Sequence, residues 1–155
     1  MPPRQIVDFL DGADVEYEVL SHLRTFTAQG TAAALHVKGR EFAKSVILKA
    51  QDGRLAIALV PAARPVDLGA ASAAMRTKVE LAREGEFAGQ FWDCEVGAEP
   101  PFGHLYGMPV YVDEGLRQDP EIVFNAGSHD EAIRMRYSDF ERLVHPAAAP
   151  LSRTR

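Results

Sequence analysis

Phe42-Ala-Lys-Ser-Val-Ile-Leu-Lys-Ala50 and Leu55-Ala-Ile-Ala-Leu-Val60, joined through Gln51-Asp52-Gly53, form the stretch from which the fold is read. Both runs are apolar, and the Asp-Gly pair between them is a strong hairpin signal. In a strand, alternate residues share a face, so Phe42, Lys44, Val46 and Leu48 point one way and Ala43, Ser45, Ile47 and Lys49 the other. An ammonium therefore stands among large apolar groups. It is either a lysine that snorkels to the rim or guards an edge strand, or a partly desolvated cation at a pocket mouth, able to hold an anion or polarise a carbonyl.

On the N-terminal side, Arg4–Leu10 places Ile6, Val7 and Leu10 on one helical face, with Gly12 as the stop. Val15–Val19 alternates as a strand does. The Ala-rich stretch 27–36 reads as a short helix capped by Thr27. Beyond the hairpin, Asp67 caps a helix through Met75, Val79–Leu81 reads as a short strand and Glu84–Phe91 as a helix. Strands follow at Pro109–Val112, Glu121–Asn125 and Ala132–Arg136, and Ser138 caps a last helix over Asp139–Val144. Strands and helices without strict alternation predict an α+β domain. Its sheet is mixed and mostly antiparallel, or a partly closed barrel, with flanking helices. The expected division is one domain over 1–146 and a mobile tail over 147–155, where Ala and Pro dominate.

Composition narrows the function. With 155 residues, 46% hydrophobic and 25% charged, the chain has enough length and apolar content for one cored domain. No apolar run approaches the ~20 residues that span a bilayer. The start, Met-Pro-Pro-Arg-Gln, lacks the apolar segment of a secretion signal, and Cys94 is the only cysteine, so the expected compartment is the reducing cytoplasm. Seventeen Lys and Arg against 22 Asp and Glu leave a net charge of −5. That excludes a general nucleic-acid coat and leaves room for local basic contacts, for which Arg134 and Arg136 are candidates. The five histidines have no metal-binding spacing, and Walker, dinucleotide and Gly-x-Ser-x-Gly motifs are absent, so neither metal nor cofactor is expected.

Two further segments carry candidate chemistry. In Val96-Gly-Ala-Glu-Pro-Pro-Phe-Gly103, two glycines bracket a double proline, which leaves the backbone little freedom. Such a loop either connects strands rigidly or presents main-chain groups to a ligand at small entropic cost. In Phe124-Asn-Ala-Gly-Ser-His-Asp130, Gly127 permits a sharp turn, and Asn125 offers both a donor and an acceptor. His129 and Asp130 could form an acid–base pair or simply a polar turn. Being adjacent, they point apart on a strand.

Together these segments resemble the family of YbaK and prolyl-tRNA-synthetase-associated editing domains, which act as freestanding aminoacyl-tRNA deacylases. The matching elements are Gly39-Arg-Glu-Phe-Ala-Lys44, the Gly-x-x-x-Pro loop Gly97-Ala-Glu-Pro-Pro101-Phe-Gly103 and the turn Phe124-Asn-Ala-Gly127, in the family's order and over residues 3–146. The resemblance implies trans-editing, the hydrolysis of the ester that joins a wrong small amino acid (Ala, Ser, Thr or Cys) to tRNA, with tRNA-Pro a candidate carrier. It makes Lys44 the catalytic lysine. It gives substrate-binding roles to Gly97, Ala98, Glu99, Pro101, Phe102, Gly103, Asn125, Ala126, Gly127, Ser128 and His129, with loop N–H groups anchoring the aminoacyl moiety. A hydroxyl of the terminal ribose is implied to help activate the water. The partners it implies are the acceptor end of an aminoacyl-tRNA and a synthetase, with no DNA and no membrane. The sequence departs from the family in Thr27-Ala-Gln-Gly-Thr31, which has no acidic residue, and in Ser128-His129-Asp130, so the edited amino acid stays open. The alternative is a non-catalytic module that binds aminoacyl-tRNA or docks on a synthetase.

Overall fold

The expected hairpin is the spine of the molecule. The computed structural model describes residues 1–154. In it β2 (Phe42–Ala50) and β3 (Leu55–Pro61) pair antiparallel from Ala43↔Pro61 to Lys49↔Leu55. Around them an open sheet runs in the order β1 (Tyr17–Ser21), β7 (Glu131–Arg136), β6 (Glu121–Asn125), β2, β3, β5 (Val110–Asp113), β8 (Ala147–Ala149), with β4 (Val79–Leu81) also on β2. The β1–β7, β6–β7, β2–β3 and β2–β4 pairs are antiparallel, and the short β2–β6, β3–β5 and β5–β8 pairs are parallel. The sheet is thus mixed, mostly antiparallel and unclosed.

Period-2 alternation sends the two faces of β2 into different cores. Phe42 packs with Val123, Ala132 and Ala32 of α2 (Ala28–Ala34), and Leu48 with Ala58, Val60 and Ala71 of α3 (Leu68–Met75). On the other face Ala43 and Leu59 join Ile122, Phe124 and Ile133 beneath α1 (Arg4–Gly12) and α5 (Tyr137–Val144), which contribute Ile6, Leu10 and Phe140. Thr27 caps α2 through the Gly30 N–H (2.9 Å) and Asp67 caps α3 through the Ala70 N–H (3.0 Å), as their side chains predict.

Several boundaries differ from expectation. The first strand begins two residues later than Val15. The helix expected over Glu84–Phe91 stops as α4 at Glu84–Phe87, where Phe87 and Phe91 turn inward onto Tyr106 and Met108. The last helix starts at Tyr137 with Arg136 at its cap position, so Ser138 lies inside the first turn and caps nothing. Of the segment after His145, expected to be mobile, residues 147–152 are docked. Ala147–Ala149 add a parallel strand to β5, and Leu151 is fully buried. The cause is Asp113, a buried carboxylate that accepts the N–H groups of Leu151 (2.7 Å), Ser152 (3.1 Å) and Gly115 (3.1 Å). Charge-assisted bonds of this kind hold backbone that has little apolar surface of its own.

Candidate functional site

A gap in the sheet marks the candidate site. On one edge of β2, β6 pairs only with Phe42 and Ala43 and β4 only with Leu48–Ala50. Among the described residues no strand adjoins Lys44–Ile47 on that side. Strand β6 ends there. The last parallel pair is Ala43↔Phe124, so Lys44 and Asn125 are the next residue on each strand. They share a face with Phe42 and Val123, which pack together two residues earlier. Asn125 is buried and its Oδ1 has no hydrogen-bond partner among the described residues. A buried amide oxygen left without a donor is costly unless a ligand supplies one.

Beyond Asn125 the chain turns sharply at Gly127, with φ +93°, where a Cβ would stand 2.7 Å from the Pro3 ring. The rigid loop is seated on this turn. Gly127 N–H donates to the Ala98 carbonyl (3.0 Å) and Glu95 N–H to the Gly127 carbonyl (2.8 Å). His129, buried, donates from Nε2 to the Val96 carbonyl (2.7 Å), which fixes the Nε2–H tautomer because a carbonyl can only accept. Its backbone N–H reaches Glu95 (3.1 Å), and the Phe26 ring lies 4.9 Å from its own. Asp130 is engaged elsewhere, accepting from Ser128 Oγ (2.7 Å), so His129 and Asp130 make no acid–base pair. Glu95 is also ion-paired to Arg24, which holds its carboxyl below the usual range and ties residues 22–26 to the loop.

The loop is braced from within at its start. Gly97, at φ +90°, donates its N–H to the Glu99 carboxylate (2.7 Å), and Ala98 donates to the Glu95 carbonyl (3.1 Å). The Gly97 and Ala98 N–H groups, expected to anchor a ligand, are thus engaged within the loop. They are spent in rigidifying the loop, and Pro100 and Pro101 have none to offer. Glu99 is buried, which pushes its carboxyl up against the opposing pull of those N–H bonds.

Phe102 and Gly103, expected to face substrate, belong to the core. Phe102 is fully buried among Phe9, Phe124 and Phe140, on the sheet face opposite Lys44. At Gly103 a Cβ would come within 2.2 Å of the Met108 carbonyl, so the glycine is there for close packing.

Lys44 lines a cavity of about 680 Å³ with Val46, Val66, Leu68, Leu81, Asp67 and Arg153, together with Pro65 and Gly69. None of the loop or turn residues lines it. Arg134 and Arg136, the candidate tRNA contacts, lie in a groove with Glu16, Glu18 and Glu121, and Arg136 is 3.6 Å from Glu16. Three carboxylates oppose two guanidiniums there, a poor phosphate site. Cys94 is half-buried, and burial pushes its thiol up to about 12, far from a thiolate nucleophile at neutral pH. Among the described residues no group of three His, Cys, Asp or Glu could hold a metal ion, and no helix is long and apolar enough to cross a membrane. Arg24, Phe26 and Glu95 beside the turn, and Arg153 at the Lys44 cavity, were not singled out in the sequence, because each is brought there by a contact distant in sequence.

The family model for the aminoacyl-tRNA editing domain matches residues 22–143. Among solved structures, the hypothetical protein APE2540 superimposes with a TM-score of 0.88 at 18% identity over 97% of this chain and 100% of its own. A structure described as "a putative trans-editing enzyme for prolyl tRNA synthetase" superimposes with a TM-score of 0.85 at 24% identity over 97% of this chain and 96% of its own. At these identities the likeness is one of fold. No curated protein matches.

Proposed function

The chain belongs to the aminoacyl-tRNA editing domain family, and on that premise we propose that it acts in trans as a deacylase of tRNA mischarged with a small amino acid, with tRNA-Pro the first carrier to test. The observation that carries this reading is the pairing of Lys44 with Asn125 on one face at the sheet gap. An aminoacyl ester has two groups that such a pair would recognise. Its α-ammonium supplies the donor that Asn125 Oδ1 lacks, and its carbonyl oxygen, which gains charge during attack, is offset by the Lys44 ammonium.

The reaction needs no protein nucleophile. Water attacks the ester carbonyl carbon, the bond from that carbon to the ribose oxygen breaks, and the ribose oxygen takes a proton, releasing free amino acid and a tRNA with an intact terminal hydroxyl. The protein's part is to hold the ester still and stabilise the oxyanion. We assign the amino-acid side chain to the turn and loop side of Lys44, where the small residues Gly97, Ala98, Ala126 and Gly127 favour small amino acids. One methylene is worth only about 1–3 kcal/mol in an apolar pocket, so neighbouring small residues will be discriminated modestly.

Incubation with a panel of mischarged tRNAs, with and without EDTA, tests this. We expect release of Ala, Ser, Thr or Cys that survives chelation. Binding of aminoacyl-tRNA without turnover of any member would favour the non-catalytic module, and loss with EDTA restored only by zinc would overturn the metal-independent mechanism.

A further inference from the structure

Three segments meet at Glu95, which lies just outside the motifs read from the sequence. Its main chain seats the rigid loop on the turn: the Glu95 N–H donates to the Gly127 carbonyl (2.8 Å), and the Glu95 carbonyl accepts from the Ala98 N–H (3.1 Å). Its carboxylate joins two more partners. Oε1 accepts the backbone N–H of His129 (3.1 Å), and Oε2 is ion-paired to Arg24. Residues 22–25 reach the same turn from their own side. There His22 N–H donates to the Asp130 carbonyl (2.9 Å) and Thr25 N–H to the His129 carbonyl (3.1 Å). His129 is thus gripped at its N–H by Glu95, at its carbonyl by Thr25 and at its ring by the Val96 carbonyl. Arg24 faces Asp130 as well as Glu95, so its charge is answered inside this cluster and it is a fastening rather than a phosphate contact.

What this grip holds is the connection between β6 and β7, which starts directly after the pair Asn125↔Ala132. Within the connection, Ala126 N–H bonds the Glu131 carbonyl (3.2 Å) and Ser128 bonds Asp130 (2.7 Å). The other bonds described come from outside, and the Glu95 carboxylate is the group that joins loop, turn and residues 22–25 at one point. Asn125 Oδ1 has no partner of its own among the described residues, so its aim is inherited from the backbone on either side. We propose that Glu95 is a positioning residue: its carboxylate holds the Gly127–His129 turn so that Asn125 Oδ1 meets the α-ammonium of the aminoacyl ester. This rests on the editing reading above and assigns part of its geometry to a residue that acts through the turn rather than on the ester. A displacement of about 1 Å at a reacting group can cost up to ~100-fold in rate, so a brace of this kind is visible in kinetics.

The test is a double-mutant cycle in deacylation, joined to nuclear magnetic resonance of the Asn125 side-chain amide in the free protein. Glu95→Ala, which leaves the His129 N–H without its acceptor, should lower kcat/KM about tenfold. Glu95→Gln, whose amide oxygen still accepts from His129, and Arg24→Ala each lose the ion pair alone and should cost about threefold. In the Asn125→Ala background, Glu95→Ala should cost less than about twofold, because the group it positions is gone. A purely structural role would cost the same in both backgrounds. The Asn125 amide resonance should shift in Glu95→Ala and move less in Glu95→Gln. Should Glu95→Ala not fold, Arg24→Ala, at a half-exposed side chain, carries the same cycle under the same criteria. Equal losses in the two backgrounds, or an unmoved Asn125 resonance in a folded Glu95→Ala, overturn the proposal. If wild type hydrolyses no aminoacyl-tRNA while the Asn125 resonance still moves in Glu95→Ala, the brace stands and the editing reading fails.

Discussion

Lys44 and Lys49 lie five residues apart on one strand, on opposite faces, and have different surroundings. Lys49 is ion-paired to Glu86, opposite Glu80 in the register, at the hairpin end of the sheet. The cavity it lines, about 660 Å³, also holds Arg54, Gln90 and Tyr111. The Glu86 carboxylate raises its pKa and answers its charge. Lys44 lines a cavity of nearly equal volume, but its strand neighbour is the partnerless oxygen of Asn125 and its wall is aliphatic. Size therefore does not separate a site from a surface groove here. What separates them is the lining: an ion pair and further polar side chains around Lys49, aliphatic side chains and the orphan Asn125 oxygen near Lys44.

The sharpest way to break this contrast is to remove each ammonium in turn. Lys44→Ala should lower kcat/KM for mischarged tRNA at least 100-fold, the ~3–4 kcal/mol typical of one lost oxyanion contact, with an unchanged circular dichroism spectrum. Lys49→Ala should leave kcat/KM within about twofold, since its half-buried pair with Glu86 lies at the hairpin end of the sheet, away from Lys44. Equal losses in the two variants would erase the distinction. Asn125→Ala should follow, with kcat/KM down about ten- to hundredfold, the range of a hydrogen bond to a charged group. Asn125→Asp, which keeps an acceptor, should lose less. An alanine variant with wild-type kinetics would detach the orphan oxygen from the ester.

Smaller effects sharpen the picture on the loop side. Burial raises the Glu99 carboxyl in the folded protein, so its contribution to stability is complete below the ordinary glutamate pKa of about 4.3 and is lost as pH rises through the raised folded value. Glu99→Gln keeps an oxygen for the Gly97 N–H without the buried charge. Denaturant melts should show it more stable than wild type at pH 7, with the gain vanishing near pH 4. Cys94→Ala should change kcat/KM least of all, and the native thiol should resist alkylation at neutral pH compared with the unfolded chain. Rapid labelling with loss of activity would contradict the burial-raised thiol.

Much of the fold was legible because period-2 patterning is local. Phe42–Ala50, Leu55–Pro61 and Glu121–Asn125 appear as strands where alternation and turn residues place them, and Thr27 and Asp67 cap as their side chains predict. The face of Lys44 followed from the same alternation. The roles of Phe102 and Gly103 did not, because a Gly-Pro-rich loop looks alike whether it lines a cleft or plugs a core, and only packing against Phe9, Phe124 and Phe140 decides. The docking of Ala147–Leu151 was equally hidden. Three alanines carry no strand signal, and the carboxylate that holds the segment is nearly forty residues away at Asp113.

The parallel register of Phe42 with Val123 and Ala43 with Phe124 also has a kinetic consequence. The two strands that bring Lys44 beside Asn125 are separated by roughly 80 residues, and loop-closure entropy must be met before contacts of that span stabilise anything. The hairpin of β2 and β3 can form early and alone, while the seam with β6 must wait for the long closure. On refolding from denaturant, hydrolytic activity should therefore return after most of the far-ultraviolet signal, in a single late phase. A population with half its native secondary structure would lack the seam between β2 and β6.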